Sequence, residues 1–209
     1  MSDKTGRKPR SLAPLWAMVA VFAAPVIAAW FFYLNPEYLP SARSNKGELI
    51  DPVVALPADL ALFTSDGADF PRDLLAGKWT LVYLAGGKCD EACRNRLIAM
   101  RQIRLALGES QRSVERLLVV TDSAATDLAR DLDADAKFDG MKVALGGVRL
   151  PELLGEGAAV LDRLYILDPM GNLMMRYAED APARDTLEDM EHLLKASKNW
   201  IKGAQYGHK

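Results

Sequence analysis

From Leu12 to Leu34 the chain reads LAPLWAMVAVFAAPVIAAWFFYL, and no charged residue lies between Arg10 and Glu37. A helix of this length, rising about 1.5 Å per residue, spans the roughly 30 Å hydrocarbon core of a bilayer. The apolar region of a cleaved signal peptide is shorter, about 7–15 residues. This run is longer and ends in Trp30, Phe31, Phe32 and Tyr33, aromatic side chains suited to the headgroup interface. It therefore predicts an uncleaved anchor, within which Pro25 is tolerable, since membrane helices accept proline more readily than soluble ones. Lys4, Arg7, Lys8 and Arg10 precede the run, whereas Glu37, Arg43, Lys46 and Glu48 after it are mixed in sign. The positive-inside rule then places a basic tail (1–11) in the cytoplasm and everything after Asn35 outside it. The expected location is the inner (cytoplasmic) membrane, as a single-pass protein with its domain in a periplasm or an equivalent space.

With 26 basic and 28 acidic side chains the chain is close to neutral, which argues against nucleic acid as a partner. Residues 35–55, with Pro36, Pro40, Ser41, Ser44, Gly47 and Pro52 and no sustained periodicity, read as a linker. Residues 56–200 have the size of one domain, and 201–209 read as a flexible tail.

Along that domain, strand-like and helix-like patterns alternate. Leu60–Thr64 is a short strand candidate, WTLVYL at 79–84 a strong one, and RLLVVT at 116–121 a buried one. Helices are predicted over Asp90–Leu107, Ala124–Leu132 and Asp185–Ala196. RLYIL at 163–167 and LMMRY at 173–177 flank Asp168-Pro169-Met170-Gly171, a type I turn sequence, and form a hairpin. Residues 136–158 read as a mixed loop with a short helix near Pro151–Leu154. The order β-α-β-α-β-β-α is that of a thioredoxin-like α/β fold, a central mixed sheet flanked by helices, here tethered by one N-terminal transmembrane helix.

Only two cysteines occur, Cys89 and Cys93 in GGKCDEAC, where the first strong strand gives way to a helix. Residues at i and i+4 share a helix face, close enough for a disulfide after modest distortion of the helix end. A helix start stabilises a thiolate through its unpaired N–H groups. Lys88 adds to that effect, while Asp90 and Glu91 oppose it. Cys93, one turn further in, should be the less exposed of the two. A static bridge closing so short a loop would stabilise little, and idle free thiols are a liability in an oxidising space. Redox cycling and soft-metal binding, Cu(I) above all, are the functional alternatives. The sequence holds no catalytic triad, phosphate loop or zinc signature.

Residues 79–93 (WTLVYLAGGKCDEAC), the strand ending VVTD at 119–122 and YILDPMGNL at 165–173 resemble the Sco/SenC family of copper chaperones for cytochrome c oxidase assembly. The resemblance spans roughly residues 55–197. It implies a periplasmic domain handling copper or thiols, with Cys89 and Cys93 as catalytic or metal-binding residues. The implied partner is the oxidase subunit carrying the binuclear copper centre, or another periplasmic thiol protein. The family's metal-ligating histidine, which lies shortly before the hairpin strand, has no counterpart in residues 157–162 (GAAVLD). The chain's two histidines are His192, expected on the polar face of the last helix and remote from the cysteines, and His208 in the tail. Met170, Met174 and Met175 offer soft thioethers, but on a strand Met174 and Met175 face opposite ways, and core packing is the plainer reading. Asp162 is a hard ligand for Cu(I) and reads as a loop hydrogen-bonding residue.

The sequence thus predicts a Sco-like assembly factor using its CxxxC pair for Cu(I) handling or for reducing a client. A general thiol–disulfide oxidoreductase and a non-catalytic domain with a structural bridge stand as alternatives. The topology is directly testable: a reporter active only outside the cytoplasm should work when fused after Lys209. A cytoplasm-only reporter that works there instead would overturn the predicted orientation.

Overall fold

The computed structural model describes residues 12–35, 38, 45–122, 125–155 and 157–206, with side-chain surroundings left undescribed at 133, 157, 158 and 198–206. The chain divides into two compact units, Met1–Arg43 and Ser44–Lys209. The expected basic tail at 1–11, and His208 with it, lie outside the described residues.

In the first unit, α1 (Ala13–Leu34) is one helix of 22 residues with a mean hydropathy of 2.1 over its most apolar window. At about 1.5 Å per residue it is long enough to cross a bilayer. Pro14, near its start, removes an N–H that the first turn could not have bonded. Near its end the Phe31 ring packs edge-on against Phe32, with centroids 5.7 Å apart.

The second unit is built on β3 (Trp79–Ala85) and β4 (Val114–Val120), seven residues each and buried at every position. They pair in parallel, from Trp79 opposite Val114 to Ala85 opposite Val120. Between them runs α2 (Glu91–Ala106). β3 also pairs antiparallel with β6 (Arg163–Leu167), and β6 with β7 (Asn172–Arg176), which is the predicted hairpin. Asp168 fixes its turn: Oδ1 accepts the Met170 and Asn172 amides, each at 2.8 Å.

Alternation along β3 builds two cores. Trp79, Leu81, Tyr83 and Ala85 face Leu97, Met100 and Ile103 of α2, with Met190 and Leu194 of α5 (Ala183–Tyr206) behind them. Val82 and Leu84 face the other way, onto Leu60, Leu62, Phe70, Leu150 and Val160. Each such side chain taken fully out of water contributes about 1.5–3 kcal/mol. α3 (Thr126–Ala134) adds Ala129 and Leu132 to the first core, and α4 (Leu150–Leu153) adds Leu150 to the second. The thioredoxin-like fold, a mixed sheet with helices on its faces, is therefore present.

Four local expectations change. KVALG at 142–146, expected within a mixed loop, is β5, parallel to β4 through the pairs Leu117–Lys142 to Val120–Leu145. Its five residues carry too short an apolar run to signal a strand alone; β4 supplies the partner. The expected strand at 60–64 shortens to β2 (Leu62–Phe63), which pairs with the end of β5. Residues 48–55, expected as linker, form β1 (Glu48–Ala55), antiparallel to β7. Pro52 lies within the register break between Leu49 and Val54, and β1 is at the sheet edge, where proline is tolerated. At the other end α5 continues to Tyr206, through most of the expected flexible tail. The sheet order is β1-β7-β6-β3-β4-β5-β2.

One buried carboxylate fastens the segment that leads into β1. Asp189 of α5 is 2% exposed and accepts the Lys46 amide at 2.9 Å, the Gly47 amide at 2.8 Å and the Tyr177 hydroxyl at 2.8 Å. Burial, then the Asp189 carboxylate beside it, push the Tyr177 phenol far above its ordinary range, so it remains a neutral donor. A Cβ at Gly47 would lie 2.8 Å from both Met175 Sδ and Tyr177 Cε1, so only glycine lets the backbone approach this closely. Asp189→Ala leaves these buried donors without an acceptor and should cost about 3 kcal/mol of unfolding free energy, against about 1 for Tyr177→Phe. Denaturant titration of the full chain in non-ionic detergent measures both. Equal effects would show that Asp189 is not the anchor of this contact.

Candidate redox site

Beyond Ala85 the backbone leaves β3 through Gly86, Gly87 and Lys88 and enters α2 at its N-cap, Asp90. Asp90 Oδ1 accepts the amide of Cys93 at 3.0 Å, the bond an N-cap makes to the third residue of a helix. Cys93 is therefore in the first turn, while Cys89 precedes the helix. The two are disulfide-bonded, with Cα atoms 5.1 Å apart. The sequence expectation of two residues on one helix face changes accordingly: the bridge joins an incoming loop residue to a capped helical one. No distortion of the helix end is then needed.

The two sulfurs differ in access. Cys93 is 2% exposed and belongs to the core cluster that includes Tyr83, Ala85 and Leu97, as the sequence leads one to expect. Cys89 is half-buried and packs on the rim of that cluster. An attacking group coming from solvent meets Cys89 first.

The bridge borders a groove in two adjoining lobes of about 540 and 510 Å³. Tyr83, Ala92, Asp162 and Glu179 line both lobes, whereas Cys93, Lys88, Asp90 and Asp122 line the one nearer the bridge. Gly87 is packed against Asp122, the last residue of the VVTD segment: a Cβ there would fall 2.7 Å from Asp122 Oδ2. Arg96 of α2 fixes the far wall, donating to the backbone carbonyls of Glu179 and of Ala181, the latter at 2.7 Å.

Asp162 enters β6 with a φ of 59°, the one positive value among the described non-glycine residues. Its amide donates to the Leu84 carbonyl at 2.7 Å, which ties this left-handed turn to β3. The expected loop hydrogen bond is thus made by the backbone, while the side chain opens into the groove, with Oδ1 3.5 Å from the Tyr83 hydroxyl. Partial removal from water, with the negative charges of Glu179 and Asp90 adding, raises the Asp162 carboxyl above its ordinary value. Burial, followed by the Asp162 charge, pushes the Tyr83 phenol far above its usual range.

The other sulfur and nitrogen candidates lie elsewhere. Met175 is buried in the core with the Tyr177 hydroxyl 3.1 Å from its Sδ, Met174 packs at that core's edge, and Met170 is 79% exposed on the hairpin turn. His192 is exposed on α5. No cluster of three His, Cys, Asp or Glu side chains able to hold a metal ion occurs among the described residues. The groove's remaining donors are carboxylates and a phenol, hard oxygen ligands that do not suit Cu(I). The groove does not form a three-ligand soft-metal site. Tyr83, Arg96, Asp122 and Glu179 were not singled out from the sequence. Asp122 entered only as the end of the VVTD segment, and Tyr83 left a signal by sharing the strand parity of Ala85, toward the face that carries the cysteines.

A family model described as "transmembrane-like, thioredoxin-like, C-terminal domain" matches residues 79–197, and the chain belongs to that family. Solved structures share the fold at low identity. Yeast Sco1 with copper bound is 16% identical, covering 69% of this chain and 94% of its own, with a TM-score of 0.54. Arabidopsis thaliana ScoI with copper bound is 18% identical, covering 70% and 99%, with a TM-score of 0.50. Apo Sco1 from Thermus thermophilus is 16% identical, covering 74% and 99%, also at 0.50. A comparison with curated protein sequences finds no match.

The raised carboxyl gives a signed prediction. A carboxyl whose folded pKa exceeds its unfolded value costs stability as pH rises through the folded pKa, and costs nothing once both states are protonated. Asp162→Asn should therefore melt at a higher temperature than the wild type at pH 7, and the difference should shrink as pH falls below the ordinary aspartate range. Calorimetric scans across pH test this. A difference that grows on acidification would reverse the assignment.

Proposed function

We propose that this chain is a membrane-anchored thiol–disulfide exchange protein of the Sco-like class, acting on cysteines of a client outside the cytoplasm. The client class is the oxidase subunit that carries the binuclear copper centre, or another thiol protein of that compartment. One observation carries this reading: a half-buried Cys89 is bonded to a buried, helix-capped Cys93 that borders an open groove. A purely structural bridge over so short a loop would add little to a domain with two large cores.

The exchange is balanced as follows. A client thiolate attacks Cys89 Sγ, forming a client–Cys89 bond and breaking the Cys89–Cys93 bond. The electron pair leaves on Cys93 sulfur, which takes up a proton. A second client thiolate then attacks the client sulfur of the mixed disulfide, forming the client disulfide and releasing Cys89 thiolate. Two electrons have passed from client to domain. Run backwards from the dithiol, the same steps reduce a client disulfide.

Copper as cargo is the second reading, supported by the copper-bound yeast and Arabidopsis structures of the same fold. Reduction frees two soft sulfurs for Cu(I), and the hard oxygens of the groove add no third soft ligand. Binding should therefore rest on the two thiolates alone.

Both readings are tested on the full chain in detergent. Dithiothreitol should open the bridge while leaving the near-ultraviolet circular dichroism of the core intact; loss of that signal on reduction would make the bridge structural. Against a Cu(I) chelator, the reduced chain should take up one equivalent of Cu(I). Cys89→Ser or Cys93→Ser should abolish that uptake, and His192→Ala should not change it. Reversible opening with no Cu(I) uptake would remove the cargo reading and leave the exchange reading standing.

A further inference from the structure

The groove beside the bridge carries more negative charge than its own residues compensate. Around the lobe bordering Cys93, the carboxylates of Asp90, Asp162 and Glu179 face one ammonium group, that of Lys88. The hydrogen bonds described for Asp90 and Asp162 come from neutral donors, the Cys93 amide and the Tyr83 hydroxyl, so they leave the charge in place. In the second lobe Asp180 adds a carboxylate and Arg96 a guanidinium, whose charge also stays in place because its hydrogen bonds go to backbone carbonyls; Asp162, Glu179 and Asp180 still outnumber it. Burial raises the Asp162 carboxyl first, and the charges of Glu179 and Asp90 add to that rise by the same repulsion.

The shape of the groove is as informative as its charge. Ala92, Asn95, Arg96 and Ala99 line one wall at helical spacings of three and four residues, a single face of α2 leading away from the bridge. From 92 to 99 that face is about 10 Å long, the length of about three extended residues. The two alanines keep the wall low, so there is room for the side chains of a bound chain. The disulfide at one end, bordered through Cys93, and an acidic track about three residues long beyond it make a site for a polypeptide.

We propose that the groove binds an extended client segment in which the reacting cysteine is flanked, within about three residues, by lysine or arginine. This rests on the exchange reading given above, because it supplies the specificity of that reaction. The cysteine of the segment meets Cys89, and its basic side chains lie along the Asp162–Glu179 stretch.

Three synthetic peptides of equal length test this, each with one central cysteine flanked on both sides by lysines, serines or glutamates. The rate at which each opens the Cys89–Cys93 bridge of the full chain, in non-ionic detergent, is divided by its rate with 2-hydroxyethyl disulfide. That ratio removes the effect of flanking charge on the thiol itself. At low salt the lysine peptide should exceed the glutamate peptide by about tenfold or more. The preference should fall to about threefold or less in 0.5 M salt, where the Debye length is only a few ångströms. Asp162→Asn combined with Glu179→Gln should reduce the preference at low salt, and the salt series on the wild type stands without these variants. Equal ratios for the lysine and glutamate peptides, with uncharged 2-mercaptoethanol still opening the bridge, would overturn the groove proposal and leave the exchange reading intact. If neither the peptides nor 2-mercaptoethanol opens the bridge, the exchange reading fails and the groove proposal falls with it.

Discussion

Everything in this domain depends on the parallel pairing of β3 with β4, because these strands are covered on both faces. Their fourteen positions are all buried. Covering both faces requires helices on each side, and a parallel pair requires a crossover between its strands. Here the crossover is α2. The carboxyl end of β3 is consequently where the chain must turn, and that turn carries Cys89 and delivers Cys93 in the first turn of α2. Packing in the core thus fixes the position of the chemistry. The glycine at 87 lets the turn press against Asp122 at the neighbouring strand end.

Much of this architecture was legible in the sequence because it rests on local signals. WTLVYL, RLLVVT and the Asp168–Gly171 turn declare strands and a hairpin by composition and turn chemistry alone. The cysteines announced themselves by scarcity and by position. What stayed hidden depends on partners distant in sequence. KVALG is a strand only because β4 presents an unpaired edge to it. ELIDPVVA is a strand only because β7 offers a free edge and the register break absorbs Pro52. Asp189 reads as a routine acidic residue on an amphipathic helix, and its role requires two amides from more than 140 positions earlier.

The site was legible to the same degree. Spacing identifies the sulfur pair, but not which sulfur is reachable, since that depends on α2 beginning after Cys89 and before Cys93. The groove was not legible at all. Its walls come from β3 and the turn after it, α2, the β4 exit, the turn into β6, the loop after β7 and the start of α5, segments joined only by folding. Asp162 illustrates the difference. As a sequence letter it reads as a loop hydrogen-bonding residue; in three dimensions it is a carboxyl that burial and its own neighbours make costly to ionise.

The Asp90 cap has a consequence for the bridge it stands beside. The amide of Cys93 is held by Asp90 and its side chain by the core, so cutting the sulfur–sulfur bond gives Cys93 little new freedom. The conformational entropy released on opening belongs almost wholly to the other partner, Cys89, and to the glycine-bearing turn that carries it. Fixing a residue's backbone costs about 1–2 kcal/mol, so confining this release to a few residues keeps the entropic difference between the two redox states small. In the exchange proposed above, the helix is a fixed stator, and opening the bridge reorganises only the short loop in front of it.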